Sequence, residues 1–111
     1  MTKDQAKRSA DAFSNIANPV RILMIKVMAN GETSVGMLAD RLGLSTSAAS
    51  QHLKKLKETG ILVQRKHAQY RYYKLDPRSS HAFLKLISLA EEREPQPSGR
   101  KWRLDRRSNT R

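Results

Sequence analysis

The stretch that most constrains this chain runs from residue 34 to residue 61, SVGMLADRLGLSTSAASQHLKKLKETGI. Val35, Leu38 and Leu42 recur at helical spacing, as do Ala49, Leu53 and Leu56, so each half carries one apolar stripe. Between them, Gly43 can take the left-handed conformation that ends a helix, and Ser45 supplies the oxygen that caps the next one. Opposite the second stripe lie Thr46, Ser47, Ser50, Gln51, Lys54 and Lys55. These are small hydrogen-bonding groups followed by cations, the residue types that fit a DNA groove. The stretch reads as a helix-turn-helix.

The flanks extend this unit. Residues 1–6 are expected to fray, and Ala10, Phe13 and Ala17 mark a first helix from Lys7. Asn18-Pro19 starts a second helix, with Asn18 as cap and Pro19 in the first turn; Ile22, Ile25, Met28 and Ala29 form its main face. Leu23 and Val27 fall off that face, which implies cover on more than one side. Gly60 closes the helix-turn-helix. The hydrophobic period then changes to about 2, so 62–66 and 70–75 read as strands. The turn His67-Ala68-Gln69 between them lacks the Gly that favours a tight hairpin. Asp76-Pro77 ends the sheet, and a last helix is expected from Ser79 or Ser80 to about Glu94. The fold class is therefore mainly α with a small β-hairpin, in the order α-α-α-α-β-β-α: a winged helix-turn-helix.

That last helix is apolar around far more than one stripe, through Ala82, Phe83, Leu84, Leu86, Ile87, Leu89 and Ala90. It needs two partners, its own core and something else. A second copy of the chain is the economical choice, with Phe13, Phe83, Leu86, Ile87 and Ala90 as the expected dimer interface. Residues 7–94 would form one DNA-binding and dimerisation domain. Residues 95–111 read as a basic disordered tail, with six Arg/Lys against one Asp, a net +5 that leaves +7 for residues 1–94.

Composition then limits the function. A formal charge of +12 on 111 residues calls for a polyanionic partner, nucleic acid before an anionic membrane. The absence of cysteine excludes disulfides, thiolate metal sites and thiol switching on this chain. The N-terminus is polar, no apolar run is long enough to span a bilayer, and the expected location is the cytoplasm, in association with the nucleoid. No Gly-rich phosphate loop, HExxH or GxSxG is present, so no enzyme is expected and no cofactor is implied.

The expected DNA-binding residues are Ser45, Thr46, Ser47, Ser50, Gln51, His52, Lys54 and Lys55 on the second helix of the motif, and Arg65, Lys66, Gln69 and Arg71 on the wing. Gln51 can pair with adenine and Thr46 can offer its methyl to thymine, whereas Lys54, Lys55 and Lys57, then Arg65, Lys66, His67 and Arg71, form a basic band along helix and wing that is expected to contact phosphate and fix register. The competing reading of the same residues is a solvated polar face. His52 has two readings of its own, a phosphate contact or a ring packed at the core edge. Arg21 reads as an ion-pair partner within the fold. Tyr70, Tyr72 and Tyr73 could stack bases as single-strand binders do, but Tyr73 and Leu75 read better as core beneath the wing. The rival to sequence-specific binding of double-stranded DNA is a sequence-neutral architectural DNA- or RNA-binding protein using the same basic surface.

The motifs Ala17-Asn18-Pro19-x-Arg21, Val35-x-x-Leu38-Ala39-x-x-Leu42, Ser50-Gln51-His52-Leu53-x-x-Leu56, Gly60-Ile61-Leu62-Val63 and Tyr72-Tyr73-x-Leu75 together resemble the ArsR (ArsR/SmtB) family of bacterial repressors, in order and spacing over about residues 10–90. The resemblance implies a homodimer that binds an imperfect inverted repeat at a promoter. It places the recognition helix on 45–59, the wing on 63–75 and dimerisation on the first and last helices. Metal-sensing members carry Cys-x-Cys where this chain has Val35-Gly36-Met37-Leu38, and others use Asp and His pairs on the last helix, where this chain has only His81. One imidazole makes no Zn²⁺ site, so no metal is expected. The Cys-less pattern with Lys66-His67-Ala68-Gln69-x-x-Tyr72-Tyr73 looks more like the nodulation-gene regulators of rhizobia. No effector is implied, and control by a small organic ligand, by a protein partner or by abundance all remain open.

Overall fold

Each helix begins where the sequence places a side-chain acceptor. The structure, a computed structural model, describes residues 1–93. α1 spans Lys3–Ile16, α2 Pro19–Met28, α3 Val35–Leu42, α4 Thr46–Glu58 and α5 Pro77–Glu92. Asn18 caps α2 by accepting from the amides of Val20 and Arg21 at 2.9 and 3.2 Å, with Pro19 in its first turn. Ser34 caps α3 and Ser45 caps α4, each through its hydroxyl. Gly43 ends α3 at φ 67°, and Gly60 follows α4 at φ 79°, conformations that cost glycine nothing.

Two helix starts differ from the sequence expectation. The segment expected to fray at 1–6 is helical from Lys3, because Thr2 and Gln5 form a reciprocal capping box with bonds of 3.1 and 2.8 Å. The last helix starts at Pro77, two residues before Ser79, because Asp76 accepts from the Arg78 amide and Pro77 fits the first turn. The side chain of Arg78 also grips Asp76, and that contact first, then the amide bond, holds the Asp76 carboxyl below its ordinary value. Glu94 and the expected basic tail at 95–111 lie outside the described residues.

The sheet is antiparallel, with β2 at Leu62–His67 paired to β3 at Tyr70–Leu75. A third strand, β1 at Thr33–Ser34, pairs with the other edge of β3, giving the order β1-β3-β2. Two residues carry no readable period, so β1 is not visible in the sequence pattern. With that addition, the α-α-α-α-β-β-α winged helix-turn-helix is the observed architecture. Among the described residues no helix is long and apolar enough to cross a membrane.

The core joins Met24, Ile25 and Met28 of α2, Leu38 and Ala39 of α3, Ala49, Leu53 and Leu56 of α4, and Ile61, Leu62, Tyr73 and Leu75 of the sheet. Tyr73 and Leu75 thus take the core positions expected of them. On α2 the buried arc is wider than the expected face and takes in Met24, while Ala29 is exposed. The reason is that α3, α4, α5 and β3 all pack on this one helix. On α1 the buried residue is Ile16. Phe13 stays 56% exposed, although its ring meets Phe83 of α5 edge-on at 5.9 Å. Leu86 and Leu89 on α5 are likewise more than half exposed, whereas Phe83 and Ile87 pack against the core.

Two local tensions generate predictions. Thr33 is buried, and its hydroxyl has no hydrogen-bond partner among the described residues. Thr33→Val removes that orphan group at nearly constant shape and is expected to raise unfolding free energy by about 1 kcal/mol, read as a higher denaturant midpoint with unchanged slope. Ala68, the first residue of the two-residue wing turn, sits at φ 57°. Ala68→Gly relieves a left-handed alanine and is expected to stabilise the fold by about 0.5–1 kcal/mol after the larger unfolded-state entropy of glycine is subtracted. A lower melting temperature for that variant would show that the turn conformation is not strained.

Candidate nucleic-acid interface

α4 is oriented by its buried stripe, so its remaining faces point outward. Ala49, Leu53 and Leu56 are fully buried, and Ser45, Thr46, Ser47, Ser50, Gln51, Lys54, Lys55 and Lys57 are exposed. The motif's polar residues therefore lie on one accessible surface.

The wing adds a second wall. Strand alternation places Gln64, Lys66, Arg71 and Tyr73 on one face, through the register Gln64↔Tyr73 and Lys66↔Arg71. That face turns toward α4, and the two enclose an open groove. It is lined by Ser47, Ser50, Gln51, Lys54 and Lys57 from the helix and by Gln64, Arg71 and Tyr73 from the wing. Lys57 Nζ donates to Gln64 Oε1 at 2.9 Å and so links the two walls. Among the described residues no acidic side chain lines the groove. Lys57, a member of the expected basic band, follows Lys54 by three residues and so shares its face. Gln69 is exposed in the turn at the wing tip.

Arg65 stands apart from the other expected residues. It shares the opposite wing face with Val63 and His67, paired across to Tyr72. Its Nε and Nη2 each donate to the Glu32 carboxylate at 2.8 Å, and its guanidinium lies 4.8 Å from the centre of the Tyr72 ring. The hydrogen bonds within this pair lower the Glu32 pKa and raise that of Arg65. Tyr70 meets Tyr72 on the same face with ring centres 6.4 Å apart.

His52 occupies the other flank of α4. Its Nδ1 accepts from Arg21 Nε at 3.1 Å, and Arg21 Nη1 donates to the Asn15 carbonyl at 3.0 Å. Asn15 Nδ2 in turn donates to the Lys55 carbonyl at 3.3 Å. This chain of bonds stitches the C-terminal end of α1 and the N-terminal end of α2 to the middle of α4. A neutral imidazole that accepts at Nδ1 has its N–H on Nε2, so Nε2 is the atom His52 has left to donate in the depression it lines with Lys54 and Lys55. Both readings of His52 thus meet in one residue: its ring is half-buried, and it borders a basic depression lined by Arg21, Gln51, Lys54, Lys55 and Glu58. Arg21 bonds within the fold as expected, but to an imidazole and a carbonyl and not to a carboxylate.

Hydroxyl and amide side chains at the start of an exposed helix, with cations further along and on an adjacent hairpin, supply groups for base edges and phosphates together. Among the described residues no cluster of three His, Cys, Asp or Glu could hold a metal ion. His81 is exposed on α5.

Comparison with known proteins bears on this arrangement. Residues 18–63 match the family model for bacterial regulatory proteins of the arsR family. The nodulation protein NolR of Rhizobium meliloti is 40% identical over 89 residues, covering 80% of this chain and 70% of that protein. Among solved structures, HlyU from Vibrio cholerae aligns with a TM-score of 0.69 at 36% identity, covering 81% of this chain and 97% of HlyU. NolR from Sinorhizobium fredii aligns with a TM-score of 0.68 at 34% identity, covering 83% and 92% of the two chains.

The stitched network makes a measurable prediction. Arg21→Ala leaves the Asn15 carbonyl and His52 Nδ1 without their donor and is expected to cost about 1–3 kcal/mol of stability, measured by chemical denaturation. A loss below the error of that measurement would mean that solvent replaces Arg21 without penalty.

Proposed function

We propose that this chain, which belongs to the ArsR family of bacterial regulatory proteins, represses transcription by binding an inverted-repeat operator as a homodimer. The observation that carries the reading is the acid-free groove between α4 and the wing, with hydroxyl and amide groups at one end and Lys54, Lys57 and Arg71 along it. In this reading α4 enters the major groove. Ser45, Thr46, Ser47, Ser50 and Gln51 meet base edges and nearby phosphates, and His52, Lys54 and Lys55 hold the backbone. Lys66, Gln69 and Arg71 carry the wing onto the flanking backbone.

The dimer rests on a separate observation. Phe13, Leu86 and Ala90 lie exposed on α1 and α5, with Phe83 and Ile87 half-buried beneath them. Leu89 is exposed on the same helix and joins the expected set. A patch of this composition at the end of a small domain is stabilised by a second copy across a two-fold axis. Two-fold symmetry then places two recognition helices about 34 Å apart, in successive major grooves. The similarity to NolR and HlyU supports a transcriptional regulator, and HlyU of Vibrio cholerae is itself named an activator, so the direction of control rests on the proposal alone. The DNA-binding and dimerisation unit would be the folded domain through α5, with the basic segment at 95–111 appended to it.

The test is selection of bound duplexes from a random pool at fixed, near-physiological salt. The expected product is a pseudo-palindrome whose half-site centres are about 10 base pairs, one helical turn, apart. Uniform affinity for all duplexes would favour the sequence-neutral alternative. On the selected site, Lys54→Ala or Arg71→Ala should reduce the slope of log affinity against log salt by about 0.9 for each phosphate no longer neutralised, whereas Gln51→Ala should cost about 1–3 kcal/mol of discrimination at particular bases.

A further inference from the structure

Glu32 is an acidic residue on the basic half of the molecule, and the groove does not use it. It follows α2 by a short turn and precedes β1. Its partner Arg65 lies midway along β2, at the far edge of the sheet, because the strand order is β1-β3-β2. The ion pair therefore reaches across β3. Tyr72 lies beneath it, paired at once with Arg65 on one side and with Ser34 of β1 on the other. Both oxygens of the carboxylate are held by the Nε and Nη2 edge of the guanidinium, so only its Nη1 side is left to donate elsewhere. Lys74, on the same face, adds to the field that keeps Glu32 ionised.

We propose that Glu32 is a positioning residue for the DNA wing: by clamping Arg65 over Tyr72 from the face opposite the groove, it sets the angle at which Arg71 and Lys66 are presented. The proposal rests on the DNA-binding reading above. It also has a consequence that runs against simple charge. Removing a negative side chain from a DNA-binding surface ordinarily strengthens binding, but here it should weaken binding to the operator. Because the pair is partly exposed, it contributes little to global stability, so its effect should appear in the wing and not in the fold as a whole.

The experiment compares the full chain with Glu32→Gln and with the charge-exchanged Glu32→Arg/Arg65→Glu double variant. In the absence of DNA, amide exchange in β2 and β3 around Arg65 and Tyr72 should rise in Glu32→Gln, while exchange of the α2 and α4 core amides stays unchanged. On the selected inverted repeat, affinity should fall about two- to fivefold, the range a partly exposed ion pair can transmit by positioning, while affinity for an unrelated duplex holds or rises. Hydroxyl-radical protection should weaken at the operator flanks under the wing and persist at the half-site centres. The double variant should recover flank protection. Unchanged wing exchange in Glu32→Gln would overturn the proposal. So would equal or tighter operator binding with a steeper salt slope, which would make Arg65 an ordinary phosphate ligand masked by Glu32. If the wild-type chain selects no repeat, the operator reading fails, and the exchange measurement still decides whether Glu32 holds the wing.

Discussion

Ala49, Leu53 and Leu56 on α4 are fully buried against the neighbouring helices, and their burial fixes the rotation of that helix about its own axis. Burying each leucine contributes about 1.5–3 kcal/mol, far more than any surface contact on the opposite side. The polar face cannot turn inward without exposing that stripe. The acid-free groove, the outward flank of His52 and the accessibility of Gln51 all follow from this one orientation. α3, α1 and α2 together receive it, and α2, on which α3, α5 and β3 also pack, has a buried arc broader than its sequence stripe alone suggests.

Local signals were the most legible part of the fold. Asn18-Pro19, Gly43 with Ser45, and Gly60 each settle a helix end through atoms within four residues, and the structure has those ends as the sequence indicates. The same logic was present in Thr2 with Gln5 and in Asp76-Pro77. There it was outweighed by a polar composition in one case and by the end of a strand in the other. β1 could not be read, because a two-residue strand exists only through its pairing with β3. Family resemblance and composition pointed to the class of partner, and the fold-level comparison agrees with both.

The candidate site was less legible, for a reason visible in the wing. Lys66 and Arg71 sit on one face and Arg65 on the other, and counting them as one basic band ignores the period of two that alternates them. Nor could the sequence show that Glu32, 33 residues away, waits for Arg65. Arg21 and Asn15 were hidden in the same way: their bonds to His52 and Lys55 join segments brought together only by the packing of α1 and α2 on α4. Among the described residues the groups on the groove side have no acidic partners, so charge is committed on the outer face and available on the inner one.

Asn15 has a wider consequence. It lies two residues after Phe13 on a helix of 14 residues, and its side chain holds the main chain of α4 directly. Only Ala17 and Asn18 separate α1 from α2, whose Arg21 grips α4 a second time. In a dimer joined through Phe13, the path from one recognition helix to the other would contain no loose joint. Such a molecule behaves as a caliper of fixed opening. One extra base pair at the operator centre turns the second half-site by about 34° and moves it about 3.4 Å, which a hinged dimer could follow and a dimer joined in this way could meet only by bending the DNA.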